Sequence, residues 1–260
     1  DPRILKRFLR LVAERARTDR PALFAFAITE PSAGSDVEDT EGSRKAKLST
    51  FARRENGGYV LNGRKCFISG GNLATHVTVF AALDKEKGIS SWTAFVVPTD
   101  AKGFSIGRVE HKMGQRASPA AELIMEDVHV PEDHRVGAEG DGWRLNHQTL
   151  DLSRPAVGAI AIGSARYAFE KAMAIARESG SMAHKEWQYE LADLAMKIEA
   201  ARTLVWRAAS TFPPDPALSS MSKCFACDVS VEGCSRVIDL LGEAGVTQAA
   251  GVEKAHCVDP

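Results

Sequence analysis

The chain has 260 residues, of which 44% are hydrophobic and 26% charged, the make-up of an ordinary globular protein with room for two modest domains. Its formal net charge of −1 excludes a global basic field that would draw it to nucleic acid or an anionic membrane. No apolar run approaches the roughly 18 residues of a spanning helix and no signal-peptide core opens the chain, so cytosol or an organelle matrix is the expected compartment.

Residues 3–16 place Leu5, Phe8, Leu9 and Val12 on one stripe and Arg3, Lys6, Arg7 and Arg10 off it, the period of a short amphipathic helix with a solvated basic face. From Leu23 to about Val136 the signals are those of strands. Tyr59 to Arg64 reads as a hairpin whose Asn62-Gly63 supplies a positive-φ turn. Val77 to Phe80 and Trp92 to Val97 are β-branched and aromatic, and Pro98-Thr99-Asp100 closes the second. Strands with Gly-rich turns and no helical period between them predict an antiparallel β domain, not βαβ units. No Gly-x-Gly-x-x-Gly follows a strand, which argues against a Rossmann site.

After Gly142 the period is helical. Helices are expected over 143–178, with a bend near Pro155, over 186–210, and over 217–241 beyond the breaker Pro213-Pro214-Asp215-Pro216. Leu191, Leu194, Ile198 and Val205 share one face of the second. The small residues of Ala156 to Ala165 favour close helix packing over a ligand groove. Three helices do not close a four-helix bundle, so this region reads as incomplete.

The odd cysteine count (Cys66, Cys224, Cys227, Cys234 and Cys257) argues for reduced thiols. Cys224-x-x-Cys227 with His256 and Cys257 has a zinc-like spacing. The segment reads helical, however, and no second Cys-x-x-Cys supports it, so no metal is expected.

The most informative run is Phe26-Ala27-Ile28-Thr29-Glu30-Pro31-Ser32-Ala33-Gly34-Ser35-Asp36. A buried strand ends at a proline corner and a small-residue loop that offers backbone N–H groups and the Thr29 and Ser35 hydroxyls. Those groups suit the polar edge of a flat cofactor and its phosphates; the same residues also describe a plain turn closing a strand.

Thr-Glu-Pro-x-Ala-Gly-Ser-Asp resembles the flavin-binding signature of the acyl-CoA dehydrogenase family. Asn62 to Gly71 is similar to that family's second flavin contact. Lys112 to Arg116 leading into Met125 to Pro131 supplies a third match, and Gly140-Asp141-Gly142-Trp143 with Leu150 to Pro155 a fourth. The four stand in family order. The resemblance implies an α+β chain: an antiparallel β domain, barrel- or sandwich-like, followed by a helical bundle domain, with only a remnant of an N-terminal helical domain. Domains are expected at 1–22 (last helix of that remnant), 23–137 (flavin face) and 138–260 (helical bundle, apparently incomplete).

The implied activity is α,β-dehydrogenation of an acyl-CoA thioester to a trans-2-enoyl-CoA. FAD is the implied cofactor and an electron-transferring flavoprotein the acceptor, in a homo- or hetero-oligomer, dimer or tetramer. By match of position, Thr29 would bond the pyrimidine edge of the flavin and Ser69 its N5 region, with Phe67 against the ring. Phe26 and Ile28 would line the strand beneath. Gly34 and Ser35 would sit near the pyrophosphate and the CoA pantetheine, and Asp151 and Arg154 at the CoA-binding mouth.

The chain also departs from the family. The Glu that serves as general base is expected after Pro260 or in a partner chain. An alternative family position is Ser153, which has no useful basicity, and Glu243 falls in the Gly242-Glu243-Ala244-Gly245 turn. Glu178-Ser179-Gly180-Ser181-Met182 replaces an Arg-x-x-Phe-Gly loop, and Asp239 replaces a Gln near the partner's cofactor. Two alternatives to a dehydrogenase therefore stand. One is a non-catalytic or half-site subunit of a hetero-oligomer. The other is a flavin oxidase or monooxygenase on the same scaffold.

Overall fold

The structure is a computed structural model that describes residues 2–19, 21–35, 48–247 and 251, without the side chains of Arg3 and Leu5. Asp36, His256 and Cys257 lie outside the described residues. Contacts divide the chain into two units, residues 1–112 with 116–147, and residues 113–115 with 148–260.

The first unit holds helix α1 (Pro2–Arg15) and strands β1 (Phe24–Ala27), β2 (Phe51–Glu55), β3 (Gly58–Ser69), β4 (His76–Ala82), β5 (Trp92–Pro98), β6 (Phe104–Val109), β7 (Ala120–Pro131) and β8 (Arg135–Val136). They form one eight-stranded sheet in the order β6-β7-β3-β2-β4-β5-β8, with β1 paired to β4. The sheet is mostly antiparallel, with two exceptions. Strand β1 runs parallel to β4 from Phe24↔His76 to Ala27↔Val79, and β2 meets β4 at the parallel pair Phe51↔Ala82. For β2 and β4 the cause is local: the β2–β3 hairpin reverses the chain once and the connection after β3 reverses it again, so β4 runs in the direction of β2.

Both sheet faces are buried over the central strands. Val77, Val79 and Ala81 of β4 join Phe95 and Val97 of β5 in one core, while Phe80 and Ala82 join Trp92 and Ala94 in another. That two-sided burial, with successive side chains on opposite faces, explains why these strands read as near-continuous apolar runs. On α1, Phe8 packs edge-on against Phe24, His76 and His134. Leu9 and Val12 stay exposed, against the expected stripe, because the helix meets the sheet through the Phe8 side.

The hairpin expected at Asn62-Gly63 is displaced. The β2–β3 turn is Asn56-Gly57, with φ of 49° and 75°, and Glu55 pairs with Gly58 across it. Both central residues are left-handed, as a two-residue hairpin loop requires. Gly63 instead lies inside β3, opposite a bulge that Asp127 makes in β7. Asn62 closes this bulge by accepting from Asp127 N at 2.9 Å and donating to Asp127 Oδ1 at 3.0 Å.

The helices are α2 (Gly142–Ser179), which crosses from the first unit into the second, α3 (Lys185–Ser210) and α4 (Pro216–Leu241). Pro155 is inside α2. Asp215 caps α4 by accepting from Leu218 N at 3.0 Å, with Pro216 at the first turn. Ala161, Ala165, Ala168, Ala172 and Ala176 pack against Leu191, Leu194, Ile198 and Val205 in the core of the second unit. The small-residue row is therefore a close-packing seam: a methyl on Gly158 would sit 2.9 Å from Val205 Cγ2. Among the described residues, no helix is long and apolar enough to cross a membrane.

Gly63 gives a direct test of the sheet. It has φ +151°, and an added Cβ would lie 2.6 Å from Thr50 Cα. Gly63→Ala should destabilise the protein by roughly 1–3 kcal/mol through overpacking, read as a lower denaturation midpoint. A midpoint equal to that of the wild type would contradict this strand register.

Candidate functional site

Strand β1 leads into Ile28 and Thr29, where the chain leaves the sheet. Glu30 and Ala33 close the corner around Pro31, with Glu30 N donating to Ala33 O at 2.8 Å and Ala33 N to Glu30 O at 3.2 Å. The Thr29 carbonyl accepts from Cys66 N at 3.0 Å, which docks the corner on β3.

At this point β3 is bulged. Lys65 pairs with Leu123 and Ile68 with Ala121, so three steps on β3 match two on β7. In a regular strand, residues three apart face opposite sides; the extra residue puts Lys65 and Ile68 on the same, core-facing side. Phe67 is turned outward, 59% exposed, with φ +57°. A bulky side chain in that backbone region is strained, and surrounding contacts must hold it there.

Beneath the corner lies an ion pair that the sequence reading passed over. Lys65 Nζ donates to Glu30 Oε1 at 2.8 Å and to Ile28 O at 2.9 Å, and both charged side chains are 0% exposed. Glu30 also accepts from Ser49 N at 2.6 Å, Ser49 Oγ at 2.5 Å and Thr50 N at 3.1 Å. Burial pushes the Glu30 carboxyl up, but the Lys65 charge and these hydrogen bonds outweigh it and leave it below 4.5. Burial likewise pushes the Lys65 ammonium down, to about 8, with Glu30 pulling it back part of the way. The sequence carried little signal for the pair: Glu30 follows the apolar run Phe24 to Ile28, but Lys65 stands mid-strand beside a second charge, Arg64, which is exposed.

The other expected flavin-site residues of the first unit are placed as follows. Phe26 meets Phe80 edge-on at 5.0 Å, and Ile28 is buried in the same core. A Cβ on Gly34 would meet nothing within 4 Å, so the loop offers an open face, and Ser35 is exposed. Ser69 ends β3, exposed and opposite Ala120. Among the described residues, neither the Thr29 nor the Ser69 hydroxyl has a hydrogen-bond partner. A hollow of about 450 Å³ opens between Pro31, Cys66, Phe67, Arg108, Glu110 and Glu122. A larger one of about 890 Å³ lies between α1 and the ends of β4 and β5, and none of the expected site residues lines it.

The middle-domain model of the acyl-CoA dehydrogenases matches residues 25–128, and the C-terminal-domain model of the same enzymes matches residues 140–257. The chain belongs to the acyl-CoA dehydrogenase family. Probable acyl-CoA dehydrogenase FadE25 of Mycobacterium tuberculosis is 36% identical over 242 residues, 90% of this chain and 60% of that protein. Butyryl-CoA dehydrogenase of Megasphaera elsdenii superposes with a TM-score of 0.81 at 31% identity, over 91% of this chain and 62% of that one. A chain in a structure of the electron transferring flavoprotein of Acidaminococcus fermentans superposes with a TM-score of 0.84 at 37% identity, again over 91% and 62%. The chain thus spans about three fifths of the length of the relatives it matches.

The remaining residues to which the family resemblance gave a role lie in the second unit. Arg154 bonds Asp151 Oδ1 at 2.7 Å within α2, and Ser219 Oγ donates to Asp151 O at 2.8 Å, which joins α2 to α4. Ser153 is exposed, its hydroxyl donating to Leu150 O at 3.2 Å. Glu243 is exposed on the short turn after α4. Cys227 is buried in the helical core while Cys224 is exposed, and among the described residues no three His, Cys, Asp or Glu side chains gather as metal ligands.

The lowered Glu30 carboxyl sets an acid limit. A carboxyl depressed on folding contributes stability that is present above 4.5 and lost as pH falls through its folded value. Unfolding midpoints measured below pH 4.5 should therefore fall more steeply in the wild type than in Glu30→Gln. Identical acid slopes would show that the carboxylate is not held by this network.

Proposed function

We propose that this chain supplies the flavin face of an FAD-dependent acyl-CoA dehydrogenase, which converts an acyl-CoA thioester to its trans-2-enoyl-CoA and hands the electrons to an electron-transferring flavoprotein. One observation carries the reading. Two hydroxyls without partners among the described residues, Thr29 and Ser69, and an outward aromatic ring, Phe67, stand on two segments tied together at Cys66. Ser and Thr hydroxyls commonly satisfy a nearby backbone group, as Thr203 and Ser220 do here in their helices. Thr29 and Ser69 do not, and so remain available as donors.

These residues fit a flavin. The hydroxyls suit its polar edge, Phe67 its flat face, and the open loop at Gly34 the phosphates behind it. FAD, when bound, supplies the acceptor for the hydride that leaves the acyl β-carbon. The Thr29 hydroxyl would donate to the pyrimidine edge and stabilise negative charge there, Ser69 would donate near N5, and Phe67 would pack on the ring. Phe26 and Ile28 hold the strand beneath. Ser35 with Gly34 meets the pyrophosphate and pantetheine, and Asp151 with Arg154 the polar tail of CoA. The α-proton passes to a carboxylate other than Glu243; Ser153 lacks the basicity for that role.

The same reading takes an acyl-CoA, an electron-transferring flavoprotein and further subunits, in a dimer or tetramer, as partners. Support for assembly comes from Trp206 and Phe212, exposed on the helical unit. The free thiols of Cys66, Cys224 and Cys234 suit the reducing cytosol or an organelle matrix.

The purified protein should show a flavin spectrum that bleaches when an acyl-CoA is added without oxygen. Slow recovery in air, with fast recovery on adding an electron-transferring flavoprotein, would set it apart from an oxidase. Thr29→Val should weaken FAD binding by roughly three- to ten-fold, the worth of one net hydrogen bond, and slow the bleaching. Unchanged affinity and bleaching in that variant would remove Thr29 from the site.

A further inference from the structure

We propose that Lys65 is a positioning residue for the flavin: by bridging the Ile28 carbonyl and the Glu30 carboxylate it holds Thr29 and the Phe67–Ser69 end of β3 in one fixed register. The proposal rests on the flavin reading above and adds to it a residue that does not itself touch the cofactor.

The argument is one of connectivity. Ile28 O and Glu30 Oε1 are bound by the same ammonium, at 2.9 and 2.8 Å, so Thr29 is pinned on both sides by Lys65. Its own carbonyl is bound by Cys66 N, the next residue along β3. Residues 28–30 are thereby stitched to residues 65 and 66, and Phe67 follows at once. The second arm of the clamp is Glu30. Its carboxylate takes Ser49 N, Ser49 Oγ and Thr50 N, tying the corner to the segment that enters β2. Lys65 uses two of its three donors and Glu30 accepts four bonds, so the pair is well satisfied for buried charges.

A need for stability alone does not account for this arrangement. A buried ion pair costs two desolvations, and apolar residues of similar volume often serve the fold as well or better. What a charged pair adds is direction. A methionine in place of Lys65 fills the space but binds neither the Ile28 carbonyl nor the Glu30 carboxylate. Phe67 sits in a strained backbone conformation, and it needs such a constraint beside it.

The test compares Lys65→Met, Glu30→Gln and the double variant Lys65→Met/Glu30→Leu with the wild type. For each, the FAD affinity of the apo-protein, the apo melting temperature and the hydrogen exchange of the Cys66 amide are measured. Lys65→Met should weaken FAD binding by at least about ten-fold and speed Cys66 exchange by a similar factor. The double variant should recover most of the melting temperature and still bind FAD about ten-fold more weakly. That split separates positioning from stability. If the double variant regains wild-type affinity along with its melting temperature, or if Lys65→Met keeps wild-type affinity, the proposal is overturned. Should Lys65→Met fail to fold, Glu30→Gln and the double variant give the same comparison. If the wild type itself takes up no FAD, the flavin reading fails. Cys66 exchange then decides the clamp alone: unchanged protection in the variants overturns it, and lost protection upholds it.

Discussion

The extra residue in β3 between Lys65 and Ile68 is the constraint on which the rest of the site depends. Strand geometry allows a side chain to face only the core or the opposite side, in strict alternation. The segment must bury Lys65 against Glu30, bury Ile68 in the sheet core and still present Phe67 outward. No regular strand meets all three demands, because Lys65 and Ile68 differ in parity. One inserted residue resolves the conflict, at the cost of strain at Phe67.

That solution needs support from outside the strand, and the corner after β1 provides it. The corner contributes little apolar area; Pro31, Ser32 and Ser35 are exposed. Hydrophobic burial anchors it only through Ile28 and Ala33, and its register is set by hydrogen bonds: the Thr29 carbonyl to Cys66, the Ile28 carbonyl to Lys65, and the Glu30 carboxylate to Lys65, Ser49 and Thr50. Ion pairs elsewhere differ in kind. Arg236 of α4 joins Asp193 of α3 at 2.6 Å and Glu232 of its own helix at 2.7 Å, where all three side chains are partly exposed. Screening leaves such surface pairs little energy to contribute. The buried pair works through direction, the exposed network through a modest bias of helix packing.

The sequence made the long elements legible and left the irregular ones hidden. Helices α2, α3 and α4 follow a repeated apolar period closed by identifiable caps and breakers, and their ends fall within a residue or two of expectation. The hairpin did not yield to the same reasoning, because the chain carries two Asn-Gly pairs between strand-forming residues. Both Asn56-Gly57 and Asn62-Gly63 satisfy the local chemistry of a turn. Contact with Thr50 and the facing bulge at Asp127 decide that the second is straight-through strand, and both contacts are remote in sequence. The bulge at Phe67 was hidden for the same reason, since it reflects a register against β7 that no local pattern records.

Thr29 shows how a backbone bond and a side chain divide the work at such a site. Its carbonyl, bound to Cys66, fixes where the residue stands. Its hydroxyl, half-exposed and without a partner among the described residues, loses little by waiting for one, because water can solvate it. A fully buried hydroxyl in the same state would cost stability, as Thr50 Oγ1 does beneath Gly63. The free donor is affordable only at a partly open edge, and it is usefully placed only if the backbone beside it does not move. The clamp at Lys65 meets the second requirement and the open loop at Gly34 the first. In the flavin site proposed here, the rigid part therefore lies inside the sheet while the groups proposed to meet the ligand lie at its margin.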